Sequence, residues 1–280
     1  MDEVGVNGSH PSAGDRAFPA FHAARCGGLG ELEGRLTECR ACPRLVAWRE
    51  EVAATKRAAF RDWEYWGRPV PGFGPHDAPL AVVGLAPAAH GGNRTGRMFT
   101  GDASGDFLFS ALHAVGLASR PTATTADDGL ELYGVRVTSP VHCAPPANKP
   151  TPVERDTCRP WLTTEITLLD PRAIVVLGAF GWQALLPVLA DAGWQLPRPR
   201  PRFTHGAVVT LRRAEPAEAV RSKDDGARAT TRELHLIGCY HPSQRNTFTG
   251  RLTSPMLIAL LQQAADYAGL RTRDVKGIDG

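Results

Sequence analysis

Short apolar runs alternate with amphipathic stretches along most of the chain. Five of these runs are typical of strands: residues 79–85, 133–139, 172–178, 203–211 and 233–240. Short apolar runs bounded by Pro or Gly are typical of buried strands. Because strands that alternate with helices usually form a mainly parallel sheet, the pattern predicts one α/β domain with helices on both faces of the sheet.

The intervals between these strands have helical periodicity. In residues 107–116, four apolar side chains recur at helical spacing before a terminating glycine, Gly116. Thr151 as an N-cap and Pro152 at the first helical position predict another helix, which ends at Leu169. Further helices are predicted over residues 31–60, 179–191 and 253–268.

The two ends of the chain and one internal stretch lack such periodicity. Residues 1–30 are rich in Gly, Pro, Ser and Ala, which predicts a flexible N-terminal tail. Residues 271–280 are predicted to be a C-terminal tail, so residues 31–270 form the domain. The polar stretch 212–232 is predicted to be either a surface hairpin or a disordered insertion.

Composition narrows the class of protein. The chain is 42% hydrophobic and 22% charged, as is ordinary for a globular protein, and it has no apolar run of about 18 residues that would predict a membrane span. The N-terminal residues lack the pattern of a secretory signal, so we expect a cytoplasmic protein. Only four of the 32 basic residues are lysines. This arginine bias fits either GC-rich coding or phosphate contacts with nucleic acid.

Four of the six cysteines form two separated pairs. Cys39 and Cys42 form a CxxC followed by proline, while Cys143 and Cys158 have fourteen residues between them. In a cytoplasmic chain this pattern favours metal binding over disulfides. Four thiolates in two pairs can hold either zinc or an iron–sulfur cluster. Ordinary packing of buried thiols is the alternative, and it is favoured for the other two cysteines.

Three polar loops follow predicted strands, over residues 84–105, 139–152 and 240–252. Ligands bind at the carboxyl ends of the strands in open α/β sheets, so we expect the three loops to converge on one site. The first loop is rich in glycine but lacks both common phosphate-binding spacings. The loops offer many donors and almost no acid: His90, Asn93, Arg94, Arg97, Phe99, Asp102, Asn148, Lys149, His241, Ser243, Arg245 and Asn246. Such a set suits the stabilisation of a departing anion.

The first loop, GLAPAAHGGNRTGRMFTGDASG, and the third, HPSQRNTFTGRL, resemble the signature loops of the family 5 uracil-DNA glycosylases. The paired cysteines resemble the [4Fe–4S] ligand pattern that families 4 and 5 share: Cys39, Cys42, Cys143 and Cys158. The resemblance spans about residues 36–268. It implies an αβα sandwich with a central, mainly parallel four-stranded sheet. It also implies a monofunctional glycosylase that removes uracil from DNA in base excision repair.

The resemblance assigns roles to individual residues. Phe99 would stack on the extruded base, and His241 would donate a hydrogen bond to the base carbonyl, where negative charge builds as the bond breaks. The segment Arg245–Arg251 would fill the gap left by the flipped nucleotide. The expected contacts with DNA are made by Arg94, Arg97, Ser243, Arg245, Asn246 and Arg251.

The sequence departs from the superfamily at two positions. Ala86 stands where other members carry an aspartate that acts on water, and Ser139 stands where family 4 carries an asparagine that reads uracil. Fewer hydrogen bonds to the base edge mean weaker rejection of other bases, so we expect activity on hypoxanthine and ethenocytosine as well. Asn93 is our first candidate to position the water, and Asp102 is the second or else a helix N-cap. Asn148 would contact the base or the backbone.

The expected partner is double-stranded DNA that contains the damaged base, bound by a monomer at the nucleoid. Lys149 is expected to contact phosphate rather than to form a Schiff base. Three alternatives stay open at this point: an iron–sulfur electron carrier, a non-catalytic nucleic-acid-binding protein and a zinc-dependent nucleotide hydrolase. The first lacks a flavin or nicotinamide fingerprint, and the third lacks the HxE…PCxxC deaminase signature.

Overall fold

The computed structural model describes residues 10–214 and 231–272. Its central sheet has the strands β1 (Leu80–Val83), β2 (Val135–Thr138), β3 (Ala173–Leu177), β4 (Val208–Ala214) and β5 (Thr231–Cys239), in the spatial order β2-β1-β3-β5-β4. Strands β1, β2, β3 and β5 run parallel, and β4 pairs antiparallel with β5.

The prediction of an α/β fold is confirmed, but the prediction of four strands is wrong. The fifth strand is β4, which adds to the sheet edge by pairing Leu211 with Leu234 of β5. Both side chains are buried, whereas Arg212 of β4 pairs with Glu233 at the surface. An edge strand that alternates in this way is expected where one face meets the core and the other meets water.

The described helices are α1 (Phe18–Ala23), α2 (Leu29–Thr37), α3 (Pro43–Thr55), α4 (Gly92–Thr95), α5 (Ala103–Ala114), α6 (Pro152–Leu169), α7 (Ala179–Asp191), α8 (Gln244–Phe248) and α9 (Ser254–Ala268). Short 3₁₀ turns occur at Ala58–Phe60 and Pro146–Asn148. None of the helices among the described residues is long and apolar enough to cross a membrane.

The sheet lies between two helical layers. Leu80 and Val82 of β1 face the core formed with α5 and α9, while Ala81 and Val83 face the core formed with α6 and α7. Every residue of β1, β2 and β3 is buried, as expected for parallel strands that are covered on both faces. The predicted αβα sandwich is confirmed.

Polar caps fix the starts of the helices that cover the sheet. Thr151 and Glu154 form a reciprocal capping box at the start of α6, and Thr253 accepts a bond from the Met256 amide at the start of α9. Such caps satisfy amide groups that have no partner inside the helix. The predicted starts of both helices lie within a residue of those observed.

The N-terminal segment, predicted to be a flexible tail, folds onto the domain over the residues that the structure describes. Phe18 of α1 and Leu29 of α2 are buried, and the Phe18 ring centroid lies 6.1 Å from that of Trp161 in α6. Glu33 of α2 accepts a 2.6 Å hydrogen bond from the buried Arg136 guanidinium of β2. The prediction is therefore wrong for residues 10–30, while residues 1–9 lie outside the described part of the chain.

One predicted helix is revised, and two predicted polar segments lie partly outside the described residues. The helix predicted over residues 31–60 is divided into α2 and α3, and the break between them contains the CxxC pair. The stretch 212–232 begins and ends in the β4–β5 hairpin, and residues 215–230 lie outside the described residues. In the predicted C-terminal tail, residues 271 and 272 have no regular secondary structure, and residues 273–280 lie outside the described range.

Candidate active site

A cavity of about 280 Å³, here called the edge pocket, lies at the carboxyl ends of β1, β2 and β5. Strand β1 has β2 on one side and β3 on the other, which makes this edge the topological switch point where α/β sheets bind ligands. The pocket is lined by Leu85, Ala86, Pro87, Ala88, Met98, Phe99, Asp102, Ser104, Asn148, His241 and Ser243. The three predicted loops therefore do converge.

Phe99 forms an aromatic wall of the edge pocket, and its backbone has an unusual conformation with φ of 53°. Two glycines make this possible. A Cβ atom at Gly84 would lie 2.7 Å from the Phe99 ring, and one at Gly105 would overlap the Phe99 carbonyl oxygen. Gly84 and Gly105, at the two ends of the first loop, therefore make room for the aromatic residue.

His241 lies opposite Phe99, with ring centroids 6.1 Å apart and ring planes at 30°. It follows Tyr240 at the end of β5, and the side-chain amide of Asn246 donates a 2.8 Å hydrogen bond to its carbonyl oxygen. Burial of the imidazole lowers the pKa of His241 to about 4. The ring is therefore neutral at pH 7 and can donate one N–H to a ligand in the pocket.

Asp102 is the N-cap of α5 and also lines the edge pocket. Its Oδ1 accepts bonds from the amides of Ser104 at 2.9 Å and Gly105 at 3.0 Å. Burial raises the pKa of Asp102, and these two amides oppose that rise. Oδ2 packs over Gly91 and has no hydrogen bond from the described residues. Asp102 is the only carboxylate that lines the pocket within the described part of the chain.

The prediction that Asn93 positions a water molecule in this pocket is wrong. Asn93 is fully buried in α4, and its side-chain amide donates to the carbonyl oxygen of Arg49 in α3 at 3.2 Å. Ser139 does not line the pocket either, because its hydroxyl donates to the Val141 carbonyl oxygen at 2.9 Å. The Ser139 hydroxyl also lies 3.6 Å from the sulfur of Met98, which lines the edge pocket.

Two arginines of the first loop that were predicted to bind DNA are buried in the protein instead. The Arg94 guanidinium lies against the rings of Phe60 and Trp63, at 3.9 and 4.1 Å from their centroids. Arg97 forms a buried ion pair with Asp128 at 2.7 Å. Both side chains stabilise the loop from within, and neither is available to phosphate.

The third loop has both structural and exposed residues. Ser243 is the N-cap residue of α8 and lines the edge pocket, whereas Arg245 is exposed. The Arg251 guanidinium lies 4.4 Å from the ring centroid of Tyr240. Phe248, which the sequence reasoning missed, is 80% exposed at the end of α8. An aromatic residue among the polar residues of NTFTG was the available signal.

Three further polar residues of the loops lie outside the edge pocket or at its mouth. His90 lies outside the pocket lining, and its Nδ1 is 3.0 Å from the Tyr65 hydroxyl. Lys149 is exposed, and its carbonyl oxygen accepts a bond from Arg44 at 3.2 Å. Asn148, at φ of 54°, is exposed at the mouth of the edge pocket.

The two cysteine pairs surround one small enclosed space, here called the cysteine cavity, between α2, α3 and α6. Cys39, Cys42, Cys143 and Cys158 all line it. Burial and the neighbouring thiols raise the pKa of Cys42 to about 12, and burial raises that of Cys143 to about 11. The remaining two cysteines pack separately into the two cores, as predicted: Cys26 and Cys239.

Buried N–H donors surround the cysteine cavity. Arg49 donates to the Cys143 sulfur at 2.9 Å and to the Cys39 carbonyl oxygen at 3.2 Å. His142 Nε2 and Trp161 Nε1 also lie in its wall, and neither has a hydrogen-bond partner among the described residues. Within the described ranges, no group of three or more His, Cys, Asp or Glu side chains is arranged for a single metal ion. Four thiols and several donors fit an anionic cluster larger than one ion.

The fold and the edge pocket define an α/β protein with a small pocket between an aromatic wall and a neutral histidine, at the carboxyl edge of its sheet. The family model described as the uracil DNA glycosylase superfamily matches residues 71–265 of this chain.

Three curated proteins show where the chain lies within that superfamily. It is 51% identical to the Type-5 uracil-DNA glycosylase of Mycobacterium tuberculosis over 250 residues. The aligned segment covers 89% of this chain and 85% of that protein. It is 49% identical to the Type-5 enzyme of Mycobacterium leprae, over 87% of this chain and 97% of that protein. It is also 49% identical to the Type-5 uracil-DNA glycosylase of Thermus thermophilus, over 84% of this chain and 96% of that protein. The chain therefore belongs to the type-5 family of the uracil-DNA glycosylase superfamily, as its loops predicted.

Proposed function

We propose that this protein is a monofunctional DNA glycosylase that hydrolyses the N-glycosidic bond of uracil in DNA and so begins base excision repair. The observation that carries the proposal is the edge pocket itself. The pocket brings together an aromatic wall (Phe99), a neutral imidazole (His241) and one carboxylate (Asp102). The chain that carries them belongs to the uracil-DNA glycosylase superfamily.

The first step is binding of an extruded base. A base inside a duplex cannot reach a pocket at the edge of a sheet, so the nucleotide is flipped out of the stack. Stacking on the Phe99 ring contributes about 1–3 kcal/mol and favours any flat heterocycle. The cavity of about 280 Å³ is small for a ligand pocket, which suits a single base.

The second step is cleavage of the bond between base and sugar. As it breaks, negative charge builds on the base carbonyl oxygens, and the neutral His241 ring donates an N–H to one of them. A preorganised donor of this kind accelerates a reaction by roughly 10²–10³-fold. Because the pKa of His241 is lowered to about 4, the ring stabilises this charge as a hydrogen-bond donor without being protonated.

The remaining task is to position water against the sugar. Asp102 now replaces Asn93 as the residue proposed for it, since Oδ1 is used in the helix cap and Oδ2 has no described partner. The carboxylate also provides negative charge near a sugar that becomes oxocarbenium-like. No lysine lines the pocket in the described residues, so the proposed chemistry is hydrolysis without a Schiff base.

The pocket wall supports activity on more than one base. Ala86, Pro87 and Ala88 offer no side-chain hydrogen bonds to a base edge, and Ser139 is turned away. A site with few polar contacts rejects isosteric bases only weakly. Hypoxanthine and ethenocytosine are therefore proposed as further substrates.

The third loop is proposed to contact double-stranded DNA around the flipped nucleotide. Phe248 projects from α8 and would fill the space that the base leaves, while Arg245 and Arg251 would bind phosphates. One copy of the pocket contains all these groups, so the active form is proposed to be a monomer. It would act in the cytoplasm, at the nucleoid.

We further propose that Cys39, Cys42, Cys143 and Cys158 hold a [4Fe–4S] cluster. The proposal is supported by the four thiols of the cysteine cavity and the donors around them. Such a cluster, when bound, would link three parts of the chain: the α2–α3 junction with Cys39 and Cys42, the segment before α6 with Cys143, and α6 with Cys158. Brown colour and equal amounts of iron and sulfide in the purified protein would support it. Retention of both in a Cys143→Ser variant would contradict it.

The function is tested with a duplex that carries one deoxyuridine and a matched duplex that carries thymidine. We expect the protein to release free uracil, measured by mass spectrometry, and alkali to cleave only the first duplex at the abasic site. Intact deoxyuridine duplex after incubation with the protein would reject the proposal in favour of a non-catalytic DNA-binding role. Duplexes with hypoxanthine or ethenocytosine, and the single strands, then define the range.

A further inference from the structure

Residues 196–203, here called the Pro-Arg arm, read LPRPRPRF. Arg198, Arg200 and Arg202 alternate with prolines, and the arm has no carboxylate. All three arginines are exposed, and none forms an ion pair with a described residue. Three arginines of the adjacent β4–β5 hairpin differ, because each is paired with a carboxylate: Arg212, Arg213 and Arg232.

The Pro-Arg arm is fixed to the domain rather than loosely attached. The Trp182 indole of α7 donates a 2.9 Å hydrogen bond to the Pro201 carbonyl oxygen. The Phe203 ring packs between Trp182 and Tyr240, with centroid distances of 6.0 and 6.3 Å. The carboxyl-terminal part of the arm is therefore anchored at Pro201 and Phe203, next to Arg202.

These contacts also place the arm beside the edge pocket. The Tyr240 amide donates to His205 Nδ1 at 3.2 Å, and the two rings stack with centroids 4.7 Å apart. Tyr240 directly precedes His241 of the pocket, and Arg251 of the third loop lies over the same Tyr240 ring. The arm and the third loop thus meet at one tyrosine at the carboxyl edge of the sheet.

The composition of the arm suits a polyanion. Each proline fixes its own φ and restricts the residue before it to extended conformations, so the backbone loses little freedom when a ligand binds. Planar guanidinium groups bind phosphate oxygens through paired hydrogen bonds. Three exposed arginines with no ion pair to a described residue, close to the edge pocket, suit the repeated phosphates of a DNA strand.

We propose that the Pro-Arg arm is a second phosphate-binding surface, which holds the DNA backbone beside the flipped nucleotide through Arg198, Arg200 and Arg202. The partner follows from the proposed function, and the arm acts on affinity rather than on bond cleavage. Because phosphate contacts carry no sequence information, the arm would bind undamaged and damaged duplexes alike.

The test compares two triple variants that remove the same charge. The first changes Arg198→Ala, Arg200→Ala and Arg202→Ala. The control changes three exposed arginines toward the opposite, amino end of the sheet: Arg172→Ala, Arg212→Ala and Arg271→Ala. Binding to an undamaged thymidine duplex is measured by fluorescence anisotropy at several salt concentrations, with circular dichroism to confirm folding.

We expect the arm variant to bind about 100-fold more weakly at 100 mM salt, with a salt slope smaller by about 2–3, since each phosphate contact contributes roughly 0.9. The control should stay near wild type. A triple Arg→Lys variant of the arm should retain most of the slope, which separates lost charge from altered folding.

Two results would overturn the proposal: an arm variant with the wild-type slope, as expected if the arm binds an acidic protein instead, or equal losses in both triple variants. The undamaged duplex needs no excision, so a failure of the proposed function would leave this measurement intact. Conversely, if the arm variant binds DNA like wild type and releases uracil normally, the phosphate-binding role of the arm is rejected while the proposed glycosylase function stands.

Discussion

The edge pocket and the cysteine cavity lie in one domain but leave different groups without partners. In the cysteine cavity, donors surround the buried thiols, and the Arg44–Glu154 ion pair at 2.6 Å joins α3 to α6 nearby. In the edge pocket, the His241 ring and Asp102 Oδ2 face a space large enough for a ligand. The difference is the one expected if the cysteine cavity encloses the proposed cluster permanently and the edge pocket admits the proposed base only during the reaction.

The two sites are also physically connected. Arg49 donates to the Cys143 sulfur with its guanidinium, and its carbonyl oxygen accepts the Asn93 amide from the loop that forms the pocket wall. Asn93 Oδ1 is buried without a partner among the described residues. Asn93, which the sequence suggested as the residue that positions water, thus attaches the first loop to the part of the domain that contains the cysteine cavity.

The largest expected effect on the excision rate comes from a change in the edge pocket. His241→Ala removes the donor that stabilises the leaving base, so we expect uracil excision under single-turnover conditions to fall by roughly 10²–10³-fold. Duplex binding should be nearly unchanged. The matched control is His76→Ala, whose ring is exposed and pairs with Glu33. Unchanged turnover in the His241 variant would show that this side chain does not stabilise the leaving base.

Asp102→Asn separates the two functions of this side chain. Asparagine is as good an N-cap as aspartate, so α5 and the thermal stability should be retained, whereas the loss of charge should slow excision by about 10²-fold. Asp106→Asn, one turn into α5 and outside the pocket lining, is the control. If both variants keep wild-type rates, another group positions the water.

Gly105→Ala tests how the aromatic wall is held. The added methyl group overlaps the Phe99 carbonyl oxygen, and overpacking of this kind costs about 1–3 kcal/mol. Gly34→Ala in α2 meets no atom within 4 Å and should instead stabilise the helix by up to about 1 kcal/mol. Urea denaturation measures both. Equal stability of the two variants would show that the contact between Gly105 and the Phe99 carbonyl oxygen does not limit the stability of the protein.

The smallest effect concerns pH. The pKa of His241 falls to about 4 on folding, from a model-compound value of 6.5. The unfolded chain therefore binds the proton first, and the stability that His241 contributes is complete above pH 6.5 and lost as pH falls toward 4. Excision should not depend on His241 ionisation between pH 6 and 8. A drop in rate below pH 6.5 that His241→Asn abolishes would contradict the neutral ring.

The sequence predicted the sheet, the covering helices and the convergence of the three loops, because apolar periodicity and caps are local signals. Thr151 illustrates this, since its capping box marks the start of α6 within four residues of sequence. The aromatic wall and the histidine were also placed in the pocket by their position after strands β1 and β5. The apolar pattern also predicted the edge strand β4, as residues 203–211, whereas the resemblance implied a sheet of only four strands.

The errors lie where distant segments meet. Nothing near Arg94 in the sequence indicates that Phe60 and Trp63 enclose its guanidinium, and Asp128, the partner of Arg97, is 31 residues away. The helix α1 has only six residues and is stable because Phe18 packs near Trp161. Such contacts are decided by tertiary packing, which local composition does not report.

The conformation of Phe99 has a consequence for how DNA is searched. Because Gly84 and Gly105 have no side chains, the Phe99 ring occupies the pocket wall before any ligand arrives. If the protein acts as proposed, a base that leaves the helix by thermal opening would meet a preformed wall rather than a loop that must first rearrange. Discrimination would thus depend on how long each base remains extruded as the protein moves along the duplex.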